Sequence, residues 1–303
     1  MVILGLDNGY HFTKTSEGVM FSSTVRKGKD IDINADTIQT NIDGQDYVVG
    51  APNGEYVADS NKIDSIVTEI CTFTAIAKSF PENKLIDCNI VAGLPVSYYS
   101  KQKSDFKEKL LGYGNKKVKL NKHNFQINIV GAEIYPQSAG VVFVNSKDVK
   151  SDDSLVVDIG GGTVDVSAFH GLRLTNMATY NLGMLVLYSK LAQKLNSEYE
   201  CKFMDYELYD KLKKGYITSN KFGRIDLEIL NDDIEEHTNV ILNNIKRDFN
   251  YNSMDNIFVI GGGGVELYDR IKQKFKNAIL CDDAQFVNAN AFELMGQMKF
   301  ATK

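Results

Sequence analysis

Tryptophan is absent from the 303-residue sequence, and proline and cysteine are held to four each. So few prolines, with no Pro/Ser-rich stretch, exclude a long extended linker and a low-complexity tail. The cysteines Cys71, Cys88, Cys201 and Cys281 form no C-x-x-C pair. They read as free thiols of a reducing compartment and exclude a disulfide scaffold. The four histidines are scattered, with no H-E-x-x-H, so no zinc site is expected. No apolar run approaches the roughly 18 residues of a membrane span. No leader is visible before Val2-Ile3-Leu4-Gly5-Leu6, so the expected location is cytoplasmic, without a membrane partner. A net charge of −5 excludes a surface that coats nucleic acid generally. The run Lys116, Lys117, Lys119, Lys122 reads as a solvated edge. The Walker pattern G-x-x-x-x-G-K-[ST] is also missing, which excludes a P-loop enzyme.

What is present is an ordinary globular composition, 43% hydrophobic and 24% charged. Residues 2–6 predict a buried strand ending in the turn Asp7-Asn8-Gly9, with a returning strand from Phe12 to Thr15. The polar stretch from Gly18 to about Gly54 predicts a small peripheral lobe. Ile66, Ile70, Phe73 and Ala77 share one helical face. Leu85 to Val91 predicts a strand running into Gly93-Leu94-Pro95, followed by a helix over 104–111 and a strand over 127–130. Residues 133–144 predict a helix. Leu155-Val156-Val157 starts a second strand-turn-strand unit through Asp158-Ile159-Gly160-Gly161-Gly162-Thr163 and back over 163–169. From Gly183 to Phe249 the pattern predicts mainly helix. Ile257 to Ile260 predicts a strand entering Gly261 to Gly264, with a helix behind it and a last helix over 289–300. Strand, aspartate, glycine turn, strand thus occurs twice, predicting two α/β lobes across a cleft.

The two turns carry the chemistry. A phosphate chain is held best by backbone N–H groups in tight turns that no side chain obstructs. Gly9 serves the first turn and Gly160, Gly161 and Gly162 the second. Asp7 and Asp158 stand at the strand ends, where two facing carboxylates can orient the waters of a magnesium ion without binding it directly. Lys14 lies on the returning strand, with an ammonium able to reach the β- and γ-phosphates. Alone, Asp-Asn-Gly is an ordinary hairpin turn; the pairing of the two turns after buried strands is the stronger signal.

These residues resemble the actin superfamily. Asp7-Asn8-Gly9 with Lys14 matches its first phosphate motif, and Asp158-Ile159-Gly160-Gly161-Gly162-Thr163-Val164-Asp165 the second. Ile257-Phe258-Val259-Ile260-Gly261-Gly262-Gly263-Gly264 matches its adenosine motif. The three occur in the family's order over nearly the whole chain. The resemblance implies an actin-like two-lobed α/β ATPase fold, with duplicated ribonuclease-H-like halves around a nucleotide cleft. Residues 1–150 would form the first lobe, joined by the helix of 289–303, and 151–288 the second. It implies ATP and Mg2+ as cofactors, with GTP left open. Asn8, Gly9, Tyr10, Lys14 and Thr163 would stand at the phosphates, Gly262, Gly263 and Gly264 under the nucleotide, and Tyr268 near the adenine. Lys211 and Lys214 lie in a stretch similar to the ribose-contacting helix. Asp165 is expected to support the site from behind.

Members of the family orient the attacking water with a Gln or Glu near the helix joining the lobes. Gln137 is preferred here, with Glu133 as the alternative. Gly93-Leu94-Pro95-Val96 and the following Tyr98-Tyr99 resemble the ParM/StbA group of prokaryotic actin-like proteins. That likeness implies ATP-driven filaments for plasmid segregation, with the chain itself and a DNA-bound adaptor as partners and no direct contact with nucleic acid. A sugar-type kinase is the alternative, but it needs a catalytic aspartate outside the motif positions. A cell-shape scaffold like MreB is a third, and it calls for an amphipathic anchor that the first residues do not offer.

Overall fold

The computed structural model describes residues 1–29, 37–51, 54–57, 62–144 and 152–300. In chain order the first part holds β1 (Val2–Asn8), β2 (Phe12–Thr15), β3 (Met20–Ser22), β4 (Val25–Lys27), β5 (Ile38–Ile42), β6 (Gln45–Val49), α1 (Ile66–Ser79), β7 (Leu85–Leu94), α2 (Val96–Gly112), β8 (Asn115–Leu120), β9 (His123–Pro136) and α3 (Val141–Val144). The second part holds β10 (Asp153–Ile159), β11 (Val164–His170), β12 (Arg173–Tyr180), α4 (Met184–Tyr199), α5 (Leu208–Lys214), β13 (Tyr216–Ser219), β14 (Gly223–Asp226), α6 (Asn231–Asp248), β15 (Asn256–Ile260), α7 (Gly262–Lys274), β16 (Ala278–Leu280) and α8 (Val287–Phe300).

Among the described residues, the first lobe is one sheet ordered β3-β2-β1-β7-β9-β8-β5-β6-β4, and the second a sheet ordered β12-β11-β10-β15-β16. In each, a buried strand pairs antiparallel with the next strand and parallel with a later one: β1 with β2 and β7, β10 with β11 and β15. Burial on both faces explains the apolar run Leu155-Val156-Val157 of β10 and Ile90-Val91-Ala92 in the second half of β7. Each lobe has its own core. The first is built around Leu4, Leu6, Phe73, Ile90 and Phe106, the second around Val157, Leu187, Leu191, Ile241 and Ile271. The boundary expected at residue 150 lies outside the described residues, as do 301–303 of the last helix.

Several expectations are corrected. The stretch 18–54 is not a separate lobe; its described strands β5, β6 and β4 continue the first sheet through β8. Residues 133–136 are strand, not helix. β9 pairs parallel with β7 as far as Leu94↔Pro136, and Gln137 N donates to Leu94 O at 2.8 Å. That bond is the last of the ladder, and Ser138 then turns the chain at φ 66°. The helical pattern seen in the sequence is carried only by 141–144. Residues 183–249 are interrupted by the β13–β14 hairpin, entered through Gly215 in the left-handed region at φ 80°. α2 starts at Val96, well before the expected residue 104.

α8 packs on β1 and β7 of the first sheet, although it follows the second lobe in sequence. The approach is close: a Cβ on Gly5 would stand 1.9 Å from Ala289 O, and one on Gly296 2.7 Å from Ile3 and Val91. No helix among the described residues is long and apolar enough to cross a membrane.

Candidate nucleotide site

β1 and β10 deliver their terminal aspartates to one cleft between the lobes. Its walls include Asp7, Gly9, Tyr10, His11, Lys14 and Gln137 from the first lobe. The second lobe contributes Asp158, Gly160, Gly161, Gly162, Thr163, Asp165, Gly262, Gly263 and Glu266. Asp7 is buried and accepts from Gln137 Nε2 at 3.1 Å and from Lys14 Nζ at 3.4 Å. Asp158 is equally buried and accepts from Asn288 Nδ2 at 2.6 Å. Asn288 opens α8, and its Oδ1 takes the N–H of Ser138 at 3.1 Å. One amide therefore joins the turn behind Gln137 to the second lobe's aspartate. Burial, then the charges of Asp165 and Asp7, push the Asp158 carboxyl up to about 7.

The glycine turn is shaped from behind. Met184 N donates to Gly160 O, Leu185 N to Gly161 O and Gly183 N to Gly162 O. The peptides of this turn are trans, so the N–H groups of Gly161, Gly162 and Thr163 point away from those carbonyls, and all three residues line the cleft. The glycines also let the two turns meet. A Cβ on Gly161 would stand 2.5 Å from His11 Cβ, and one on Gly162 2.6 Å from the Tyr10 ring. Burial and the Lys14 charge hold the His11 imidazole neutral, down at about 4.

Asp165 ties the lobes. α2 begins after Pro95, whose side chain cannot cap it, so its first N–H groups need acceptors. Val96 N donates to Asp165 Oδ1 at 3.1 Å and Ser97 N to Thr179 Oγ1 at 3.2 Å, both across the cleft. Thr179 and Thr163 hydroxyls complete the carboxylate's shell at 2.6 and 2.9 Å. The Gly-Leu-Pro-Val segment thus has a physical use: a helix of one lobe capped by a carboxylate of the other. Lys62 lies buried beside this group, 5.7 Å from the Tyr10 ring centroid. Burial lowers it to about 8 against the pull of Asp7 and Asp165.

The cleft does not gather every expected residue. Glu133 pairs with Lys107 at 2.9 Å, outside the cleft lining. Asn8 is spent internally, receiving Thr13 Oγ1 and donating to Thr68 O. Lys211 lies over Phe203 and Lys214 over Tyr216. Tyr268 donates to Ala278 O, and Gly264 faces Val259 of β15. In place of Tyr268, the same helix presents Glu266 to the cleft. Asn288, His11, Glu266 and Lys62 were missed because each lies outside a phosphate motif or at a free position within one. A helical count along α7 from Gly262 puts Glu266 one turn on, and that signal was available.

Among the described residues no cluster of His, Cys, Asp and Glu stands ready to hold a metal by itself. The donor set still fits a hard cation that arrives with phosphates: buried carboxylates from both lobes converge, and burial, with the charges of Asp165 and Asp7, already raises Asp158.

Sequence comparison agrees with this architecture. A profile of the N-terminal domain of actin-like proteins matches residues 5–140, and the C-terminal profile of the archaeal MreB-like actin homologues matches 156–273. A search of curated protein sequences found no match. Among solved structures, a non-polymerisable quadruple mutant of pCBH ParM shares 25% identity at TM-score 0.83, over 98% of this chain and 99% of that one. A 15-stranded ParM filament from Clostridium botulinum shares 24% at TM-score 0.83, over the same shares. An archaeal actin homologue, solved as its complex with ADP, shares 19% at TM-score 0.80 over 98% of this chain and all of the other. The fold and the paired turns define an actin-like protein. The chain belongs to the actin superfamily and resembles its prokaryotic ParM group.

Proposed function

We propose that the cleft binds and hydrolyses a purine nucleoside triphosphate with magnesium, and that the nucleotide state drives assembly of the chain into filaments. The observation that carries this is the convergence of Asp7, Lys14 and Gln137 with Asp158 and the Gly160–Gly162 turn between two lobes. Lys14 and the N–H groups of both turns hold the β- and γ-phosphates. A magnesium ion arriving with those phosphates would neutralise their charge, and Asp7 and Asp158 are the residues that would hold it through water. Gln137, rather than Glu133, orients the attacking water. Its amide N–H is committed to Asp7 at 3.1 Å, which leaves Oε1 to accept a hydrogen bond from the water. Phosphoryl transfer depends mainly on positioning and charge, so no further base is needed.

The likeness to ParM supports the finer reading: a cytoplasmic filament that segregates plasmid DNA through a DNA-binding adaptor, with ATP as the fuel. The test is pelleting and light scattering of the purified protein with Mg2+ and ATP, beside Asp158→Ala. Scattering that rises with ATP and fails in the variant supports the proposal. Wild-type protein that stays monomeric at all concentrations removes the filament. Phosphate release without assembly would leave an ATPase with another task.

A further inference from the structure

Gln137 stands where the chain leaves the first sheet, and its own bonds all run to the first lobe. Its backbone N–H goes to Leu94 O at 2.8 Å and its side-chain amide to Asp7 at 3.1 Å. The glycine turn that faces it across the cleft belongs to the second lobe. Orienting a water against a phosphate held there requires a fixed distance between parts of two lobes, and neither bond sets that distance. The next residue does. Ser138 is fully buried, holds φ at 66°, and its hydroxyl lies 2.6 Å from that of Ser167 in β11. A serine in the left-handed region persists only where its surroundings over-determine it.

The second restraint on Ser138 is Asn288. It is 5% exposed, and its neighbours in sequence face opposite lobes. Val287 packs with Val156, Phe258 and Ile260 of the second sheet, while the Ala289 carbonyl lies against Gly5 of β1. Two different demands meet at its side chain. The Ser138 N–H can only donate, and it takes Oδ1 at 3.1 Å. The Asp158 carboxylate can only accept, and it takes Nδ2 at 2.6 Å. A planar amide offers acceptor and donor side by side, so both are met by one rigid group. Alanine would leave a buried N–H unpaired at the strained turn. Aspartate would set another negative charge beside Asp158 and offer it no hydrogen bond.

We infer that Asn288 is a positioning residue for hydrolysis: it fixes the Gln137–Ser138 turn relative to Asp158 and so sets the water-orienting amide against the phosphate. This rests on the nucleotide reading above. The residue acts through Gln137, not on the nucleotide.

Steady-state ATP hydrolysis with Mg2+ is measured for wild type, Asn288→Ala, Gln137→Ala and the double variant, at concentrations too low to pellet. Asn288→Ala should lower kcat about tenfold and keep KM within about twofold, because a small misplacement costs the reacting geometry and not binding. In the Gln137→Ala background the same substitution should cost less than about twofold more, since the group it positions is gone. Equal losses in both backgrounds assign Asn288 to Asp158 alone or to general stability, and overturn the inference. So does a raised KM with kcat kept. Hydrogen exchange of the nucleotide-free protein gives a second readout. The peptide carrying Ser138 should exchange about tenfold faster in Asn288→Ala, the worth of one buried hydrogen bond, and unchanged exchange overturns the inference. If Asn288→Ala does not fold, Asn288→Ser, too short to span both partners, goes through the same cycle. Failure of both to fold makes Asn288 a structural residue and ends the proposal. Folded wild type that binds no ATP overturns the nucleotide reading itself, which is a different result.

Discussion

The two phosphate turns share a register and differ in charge. In the first lobe the cross-strand partner of Asp7 is Lys14; in the second the partner of Asp158 is Asp165. The spacing is the same, yet one aspartate faces a cation and the other a second carboxylate. Asp7 also gains an amide from its own lobe, whereas Asp158 relies on Asn288 from the far end of the chain. A duplicated backbone device has therefore been given two electrostatic roles. The first turn is a neutralised pair, and the second sets two buried carboxylates against each other.

The sharpest break of that comparison is Asp158→Asn. Phosphate release should fall at least about a hundredfold, since a charged group facing the transferred phosphate is lost. Stability should move the other way. A carboxyl raised from 3.8 to about 7 keeps its proton in the folded chain where the unfolded chain has released it. Stability therefore falls as pH rises from about 4 to about 7, by up to roughly 4 kcal/mol for that one group. The Asp158→Asn protein should lack this loss, so its melting temperature should overtake wild type as pH rises. Melting curves of both proteins across that range, without nucleotide, check the sign. A constant offset would mean that Asp158 does not titrate.

Gln137→Ala should lower hydrolysis about a hundredfold with nucleotide affinity kept, while Glu133→Ala should leave turnover within about twofold. The opposite pattern would return the water to Glu133. Next comes the contact between the turns. Gly162→Ala should cost about 1–3 kcal/mol, because its Cβ would strike the Tyr10 ring. Tyr10→Ala should restore part of that loss in the double variant. No side-chain rescue of Gly161→Ala is expected, since the His11 backbone N lies 2.9 Å from the added Cβ. Chemical denaturation of the four proteins decides. The smallest effect is expected from Lys211→Ala and Lys214→Ala. Both ammonium groups rest on aromatic rings, so nucleotide affinity should change less than about twofold.

Much of this was legible in residue order. Each phosphate turn announced itself by an apolar strand, an aspartate and glycine, because those positions are dictated by local backbone geometry. What escaped depends on distant packing. Residues 133–136 carry apolar spacing compatible with a helix, and only pairing with β7 makes them strand. Asn288 reaches Asp158 because α8 folds back across the lobes, which no local pattern encodes. Lys211, Lys214 and Tyr268 were placed by analogy of position, and the structure occupies each with a neighbour of its own. Asp165 was expected behind the site, and its use as a helix cap follows from Pro95 being unable to serve.

The return of α8 to β1 also fixes an order of events during synthesis. Gly5 meets the backbone of Ala289, so one face of β1, an interior strand of the first sheet, is covered by residues made only after the whole second lobe. At roughly 5–20 residues per second, that face waits on the order of 15–60 s for its cover. Leu4 and Leu6 can begin their core as soon as α1 and β7 are made, but the strand carrying Asp7 stays half-clothed until α8 follows. Until α8 has been made the clamp is unfinished, because Asp158 lacks the amide of Asn288.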